Sequence, residues 1–283
     1  MTPELALDPA PQRAVRAPIA PRLRAWAHGA RSAALYVALP VFVVALWQAL
    51  FELGLIRPIL LPPPSRVVAT LWELAASGDL PRHLSVSLQR VLQGFGIAAA
   101  LGIALGIGIG LSRTLDRLTD LSVQVLKPIP PLAWIPIAIL WFGIGEAAKV
   151  YIIFLGAFFP ILVNTVDGIR RTDHRHVELA RILEVSRGRF VARVILPGAL
   201  PAIMTGLRVG LMVAWICVVA SELIAASSGV GYLIMDARQL SQTDVVIVGM
   251  LTIGAVGKLL DSLLKRAEQH LITWNPAYSG SWT

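Results

Sequence analysis

The sequence predicts an all-α membrane protein of about six transmembrane helices. Three observations carry that prediction. Hydrophobic residues make up 56% of the 283-residue chain and charged residues only 15%, with a mean hydropathy of +0.70; a soluble domain carries about 25% charged residues. Apolar stretches close to the ~20 residues that a helix needs to cross a bilayer recur along the chain. The basic residues behind the net charge of +8 lie mostly between those stretches. A nucleic-acid binder would gather them into a basic patch interleaved with aromatics, and the sequence has none, so nucleic acid is not expected as a partner.

The elements follow in order. Residues 1–32 are rich in Pro, Ala and Arg, without apolar periodicity, and read as a mobile basic cytoplasmic tail. Their basic region is too long for a cleaved signal peptide. The first span is expected over Ala33–Phe51, interrupted by Pro40. Residues up to 85 form a connection in which Arg66–Leu74 reads as a short surface helix with Ser65 as its N-cap. The core, with the remaining spans, is expected over 86–268 and a cytoplasmic C-terminal tail over 269–283.

Within that core the second span is Val86–Leu111. Its Gly102, Gly106 and Gly110 recur every fourth residue, a spacing that admits a close helix neighbour. The third, Leu118–Phe142, is irregular. Pro128, Pro130, Pro131 and Pro136 follow Lys127, and proline breaks helices by removing a donor. A broken helix at membrane depth marks either a pathway-lining segment or a kink between packed halves. The remaining spans are Val150–Ile169, Met204–Ala226 and Val245–Leu264. Cys217 lies inside an apolar run and reads as a small buried hydrophobe.

Orientation follows from the basic residues, which are retained on the cytoplasmic side. With the N-terminus inside, sixteen Lys and Arg fall on cytoplasmic segments and five (Arg57, Arg66, Arg82, Lys149 and Arg238) outside. Arg90, Lys127, Arg208 and Lys258 fall within or at the edges of spans. Both termini are therefore expected in the cytoplasm.

The segment from His176 to Pro201 stands out among the loops. Leu179, Ile182 and Leu183 share one helical face, and Arg181, Arg187, Arg189 and Arg193 are interspersed along it. Periodicity alone leaves two readings open, a docking surface for a partner or an interfacial helix on anionic lipid.

The same segment resembles the EAA loop of permeases in ATP-binding-cassette importers, whose pattern is Glu-Ala-Ala, a glycine, then Ile-x-Leu-Pro. Glu178-Leu179-Ala180 and Val194-Ile195-Leu196-Pro197 stand at the matching positions, with Glu184 in place of the glycine. In the family that glycine permits the turn ending a coupling helix; here Gly188 is the expected substitute. The resemblance covers roughly 60–278. Ile129-Pro130-Pro131-Leu132-Ala133-Trp134-Ile135-Pro136, Trp141-Phe142-Gly143-Ile144-Gly145-Glu146 and Glu222–Tyr232 resemble the sulfonate, taurine, nitrate and bicarbonate branch. The closing Trp274-Asn275-Pro276-Ala277-Tyr278 is most similar to aliphatic sulfonate permeases.

The resemblance implies a type I ABC importer permease fold with a cytoplasmic coupling helix in the inner membrane. It implies a function as the transport subunit of an importer of small anions, alkyl sulfonates foremost. The implied partners are two ABC ATPase subunits, a second permease copy forming a homodimer, and an external substrate-binding protein. The chain lacks a GxxxxGK[ST] phosphate loop, so ATP and magnesium are expected on the ATPase, with no cofactor and no catalysis on this chain. By the same analogy Glu178, Leu179, Ala180, Glu184, Leu196 and Pro197 form the coupling surface. The passage of an anion makes Asn164, Arg208 and Trp215 the expected pathway residues.

Other classes fit less well. His28, His83, His174, His176 and His270 all read as lying in loops or at span ends, which leaves an intramembrane protease no base. His174 and His176 read as solvated rather than as a metal site. An ion-gradient-driven secondary transporter is the alternative from another class, but such carriers show inverted repeats and acidic groups near mid-membrane. No repeat is evident, and Glu222, the one deep carboxylate candidate, is expected near the outer end of its span.

Overall fold

A computed structural model describes residues 37–171, 178, 180, 182 and 184–272. Contacts divide the chain into two units, at 56/57. In the first, α1 is described over Val37–Glu52 and runs through Pro40 without a break.

The second unit begins with α2 (Pro64–Ala76). The expected surface helix is there, but Ser65 is not its cap. Pro64 takes the first helical position, where its missing N–H costs nothing, so Pro63 becomes the N-cap. The segment 57–85 belongs with the core rather than with the first span. Thr70 Oγ1 donates to Asp244 at 2.8 Å, Arg66 Nε pairs with the same carboxylate at 3.1 Å, and Thr243 Oγ1 donates to the Ile59 carbonyl.

Four helices of this unit are long and apolar enough to cross a membrane. They are α3 (Asp79–Leu111), α6 (Glu146–Arg170), α8 (Leu196–Ala225) and α10 (Thr243–Leu271). Each covers an expected span and extends beyond it at one end or both, except that α8 stops one residue short of Ala226. The third expected span is not one helix. It is α4 (Arg113–Leu126), a 3-10 turn (Pro131–Trp134) and α5 (Ile135–Phe142), bent by 87°. Pro128, Pro130 and Pro131 supply no N–H to continue α4. Moreover α4 carries Arg113, Asp116, Arg117 and Asp120 and opens on Ser112, whose hydroxyl accepts from Leu115 N–H. It is an amphipathic helix rather than half of an apolar one.

Between α6 and α8 lie α7 (Arg187–Phe190) and a π-helical turn (Val191–Ile195). A helix not foreseen in the sequence, α9 (Val230–Gln239), joins α8 to α10.

The central helix is α6, which packs against α3 on one side and α8 on the other. The expected glycine stripe makes the first of these contacts. A Cβ added at Gly102 would stand 3.0 Å from Ile161, at Gly106 2.7 Å from Thr165, and at Gly110 2.9 Å from Ile169. The two helices thus meet in matching steps of four residues. Within lipid, where tails are as apolar as the side chains, such close backbone approach is a main source of helix association. Cys217 lies buried in the same core with Ile153, Ala157 and Ala214, as its apolar run foretold.

Candidate functional site

The coupling segment is described at Glu178, Ala180, Ile182 and from Glu184 onward; Leu179, His174 and His176 lie outside the described residues. Glu178 is exposed and Ala180 half-buried, while Ile182 leaves 77% of its surface open. The short helix closes at Glu184, whose φ is +50°. The next residue, Val185, donates its N–H to the Ala180 carbonyl at 2.9 Å. That bond, spanning a left-handed residue, is the six-to-one closure of a Schellman turn. The position therefore demands the conformation that a glycine adopts freely, and Glu184 adopts it at a steric cost. Gly188 is not the substitute expected from the sequence, since it sits inside α7. Leu196 and Pro197 stand apart from this turn, half-buried in the first turn of α8.

The three expected pathway residues do not converge. Asn164 lies on α6, lines an open groove and donates from Nδ2 to the Pro160 carbonyl at 2.8 Å. Arg208 lies on α8 and bridges to α10. It pairs with Asp261 at 2.8 Å and with Glu268 at 3.3 Å, leaving 33% of its side chain exposed. Its charge is already met by two carboxylates. Trp215 is buried in the core, and its indole N–H donates to the Ile253 carbonyl at 3.1 Å, joining α8 to α10.

A larger polar constellation occupies the opposite end of α6 from the coupling loop. Arg90, on α3, is 3% exposed. Its Nη1 donates to Glu222 Oε1 at 2.7 Å and to the Ser228 carbonyl at 2.7 Å. Its Nε and Nη2 form a bidentate pair with Glu146 at 2.5 and 2.6 Å. Lys149, also buried, holds the same Glu146 at 2.9 Å. Glu222, at the end of α8, is fully buried and accepts further bonds from Ser87 Oγ at 2.8 Å and Gly231 N–H at 2.9 Å. His83 Nδ1 accepts from Gly229 N–H at 3.0 Å, and Ser87 Oγ accepts from Val230 N–H. Gly229 has φ +115°, and a Cβ there would collide with the Glu222 carboxylate.

This network pins α3, α6, α8 and the start of α9 to one another. A bidentate, fully hydrogen-bonded arrangement of this kind is what makes a buried ion pair tolerable. Glu222 reads in the sequence as a carboxylate near an end of its span, without a partner. His83 reads as lying in a loop or at a span end and Lys149 as lying just outside a span; both are buried on helix ends, His83 early in α3 and Lys149 in the first turn of α6. A usable signal was present: two basic and two acidic residues at span ends, equal in number, as charges inside membranes occur in pairs.

Known proteins supply the remaining comparison. Residues 98–273 match the family described as binding-protein-dependent transport system inner membrane component. A putative aliphatic sulfonates transport permease protein of Escherichia coli strain K12 is 47% identical over 240 residues, 85% of this chain and 91% of that protein. A protein of the same description from Bacillus subtilis strain 168 is 43% identical over 86% of this chain and 88% of its own length. The taurine transport system permease protein of Escherichia coli is 36% identical over 87% of this chain and 91% of its own length. Among solved structures, the inward-facing MetNI methionine ABC transporter matches with a TM-score of 0.55 at 18% identity, over 65% of this chain and 94% of that one. That likeness concerns the fold, which is the type I ABC importer permease fold. The chain belongs to the binding-protein-dependent transport system inner membrane components, the multi-pass permease subunits of ABC importers.

Proposed function

We propose that this permease moves organosulfonate anions, alkyl sulfonates first, into the cytoplasm. The observation that carries this reading is its likeness, over most of its length, to two permeases named for aliphatic sulfonates. In this reading two copies of the chain pair in the inner membrane with both termini cytoplasmic, as the sixteen-to-five distribution of basic residues favours. Two ATPase subunits sit beneath and carry ATP and magnesium. A substrate-binding protein delivers the anion from outside.

The coupling step is assigned to Glu178, Leu179 and Ala180, ending at the Glu184 turn. A short rigid helix seated in an ATPase groove moves as a unit when the ATPases close, and α8, which begins at Leu196-Pro197, receives that motion. Alternating exposure of the pathway then follows as rigid-body movement. The exposed Glu178 and Ile182 supply the polar and apolar contacts that such a docking needs.

The test is ATP hydrolysis by the chain copurified with its ATPase and binding protein in lipid nanodiscs. Alkyl sulfonates, taurine, nitrate and bicarbonate are titrated against wild type and Glu178→Arg. Stimulation by alkyl sulfonates, dependent on the binding protein and lost in the variant, is the expected result. Stimulation by bicarbonate or nitrate alone would reassign the substrate. Normal coupling in Glu178→Arg would remove the loop assignment.

A further inference from the structure

Between the polar network and the coupling loop, the middle of the bundle carries an open groove of about 320 Å³. It lies where α4 gives way to the proline-rich break and faces the mid-length of α6 and α8. Leu155, Phe159 and Asn164 line it from α6, and Val209 and Val213 from α8. Leu155, Phe159, Val209 and Val213 fall near the centres of a 25-residue and a 30-residue helix, and Asn164 lies a turn and a half further along the first. Transporters commonly hold substrate at this depth, beside discontinuous helices.

Among the described residues, Lys127 is the one charged side chain on the groove's lining. It caps the C-terminal end of α4, is exposed, and forms no ion pair among the described residues. That sets it apart from Arg66, Arg90, Lys149, Arg170 and Arg208, each of which meets an acid. An ammonium without an ion pair, on the wall of a groove between span helices, is open to an anion. Asn164 adds a neutral donor, because an amide has two N–H groups and the Pro160 carbonyl takes one.

The groove is also graded along its length. Lys127 and Val163 line both this groove and an adjoining cavity that Asp116, Asp120, Asp167 and Arg170 also line, so the cation lies at the Asn164 end. Leu155 stands nine residues back along α6, roughly 13 Å away. The walls between are apolar, from Phe159, Val209 and Val213.

We infer that this groove binds the transported ion as an amphiphile, with Lys127 and Asn164 on its anionic head and Phe159, Leu155, Val209 and Val213 along its alkyl tail. The inference rests on the organosulfonate reading above and narrows it to sulfonates that carry a chain. A headgroup-only anion such as nitrate would leave the apolar wall unused. The site does not depend on the Arg90 network, whose cations are already neutralised.

The test uses the complete complex in nanodiscs with excess binding protein, and measures transport of n-alkanesulfonates from methane- to octanesulfonate. Lys127→Ala is expected to slow transport of the whole series about tenfold, as loss of a charge-assisted contact implies. Lys127→Arg is expected to restore most of it. Val209→Trp, which fills the apolar wall, is expected to spare methanesulfonate and slow octanesulfonate about tenfold. Wild-type transport of sulfonates with Lys127→Ala at the wild-type rate, or with an unchanged chain-length profile in Val209→Trp, would overturn the groove and leave the organosulfonate reading standing. Dissociation of Lys127→Ala complexes into single permeases would show that a second copy of the chain fills the groove, again overturning it. A wild type that moves nitrate or bicarbonate and no alkanesulfonate would remove the substrate reading itself and the inference with it.

Discussion

At one end of α6, Lys149, Glu146, Arg90 and Glu222 form a chain of ion pairs, each link under 3 Å, and all but Glu146 are buried. At the other end, about 37 Å along a 25-residue helix, Glu178, Ile182 and Glu184 face outward. The first region satisfies its polar groups inside the chain and so fixes four helix ends against each other. The second leaves an apolar side chain exposed and a left-handed glutamate at a turn, features that add nothing to the stability of the isolated subunit. The contrast locates rigidity at the end with the network and availability to a partner at the end with the loop. A bundle held firmly at one end and addressed at the other is suited to transmitting rigid-body motion.

The largest expected effect breaks the rigid end. Glu222→Ala leaves the buried cations Arg90 and Lys149 to share the one carboxylate of Glu146 and frees Ser87 and Gly231 N–H, at a cost of about 3–5 kcal/mol. Thermal melting in nanodiscs checks this, and an unchanged melting temperature would show that the network contributes nothing. Gly229→Ala comes next. A side chain at a positive φ, pressed on the Glu222 carboxylate, should cost about 2–3 kcal/mol. Recovery of stability in Gly229→Ala combined with Glu222→Ala, relative to the sum of the two, would confirm that the collision is the cause.

A third variant separates the two arginines that bridge helices. Arg208→Gln removes a pair that is one-third open to its surroundings and should cost only about 1 kcal/mol. A loss as large as that of Glu222→Ala would show that α8 and α10 depend on Arg208 as α3 and α8 depend on Arg90. The smallest effect has the opposite sign. Glu184→Gly relieves the left-handed strain and should stabilise the loop by about 1 kcal/mol, read as slower amide hydrogen exchange at Val185. A faster exchange there would mean that the Glu184 side chain, and not the backbone, holds the turn.

Much of this was legible in the chain because periodicity and composition speak directly to it. The apolar stretches became helices, the Gly102–Gly106–Gly110 stripe became the α3–α6 contact, and the prolines after Lys127 became a break. Boundaries were less legible, since amphipathic turns such as those from Asp79 to Ser85 extend a helix beyond its apolar run. Ser65 has the side chain of a cap, but Pro64 suits the first helical position better, because its missing N–H costs nothing there.

Partnerships between residues distant in sequence are another matter. Arg90 and Glu222 are 132 positions apart, and no local pattern says that they meet. Likewise Arg208 and Trp215 read in the sequence as residues of an anion path, and nothing local to them says that they meet Asp261, Glu268 and the Ile253 carbonyl. Hydrophobicity and glycine spacing determined by themselves that this chain is a packed membrane bundle, and the Glu-Leu-Ala…Leu-Pro loop carried its resemblance to importer permeases, because each depends on residues close together along the chain. Which charges are neutralised, and which, like Lys127, remain open to an ion, was decided only when the helices packed, because a charge is satisfied by its neighbours in space.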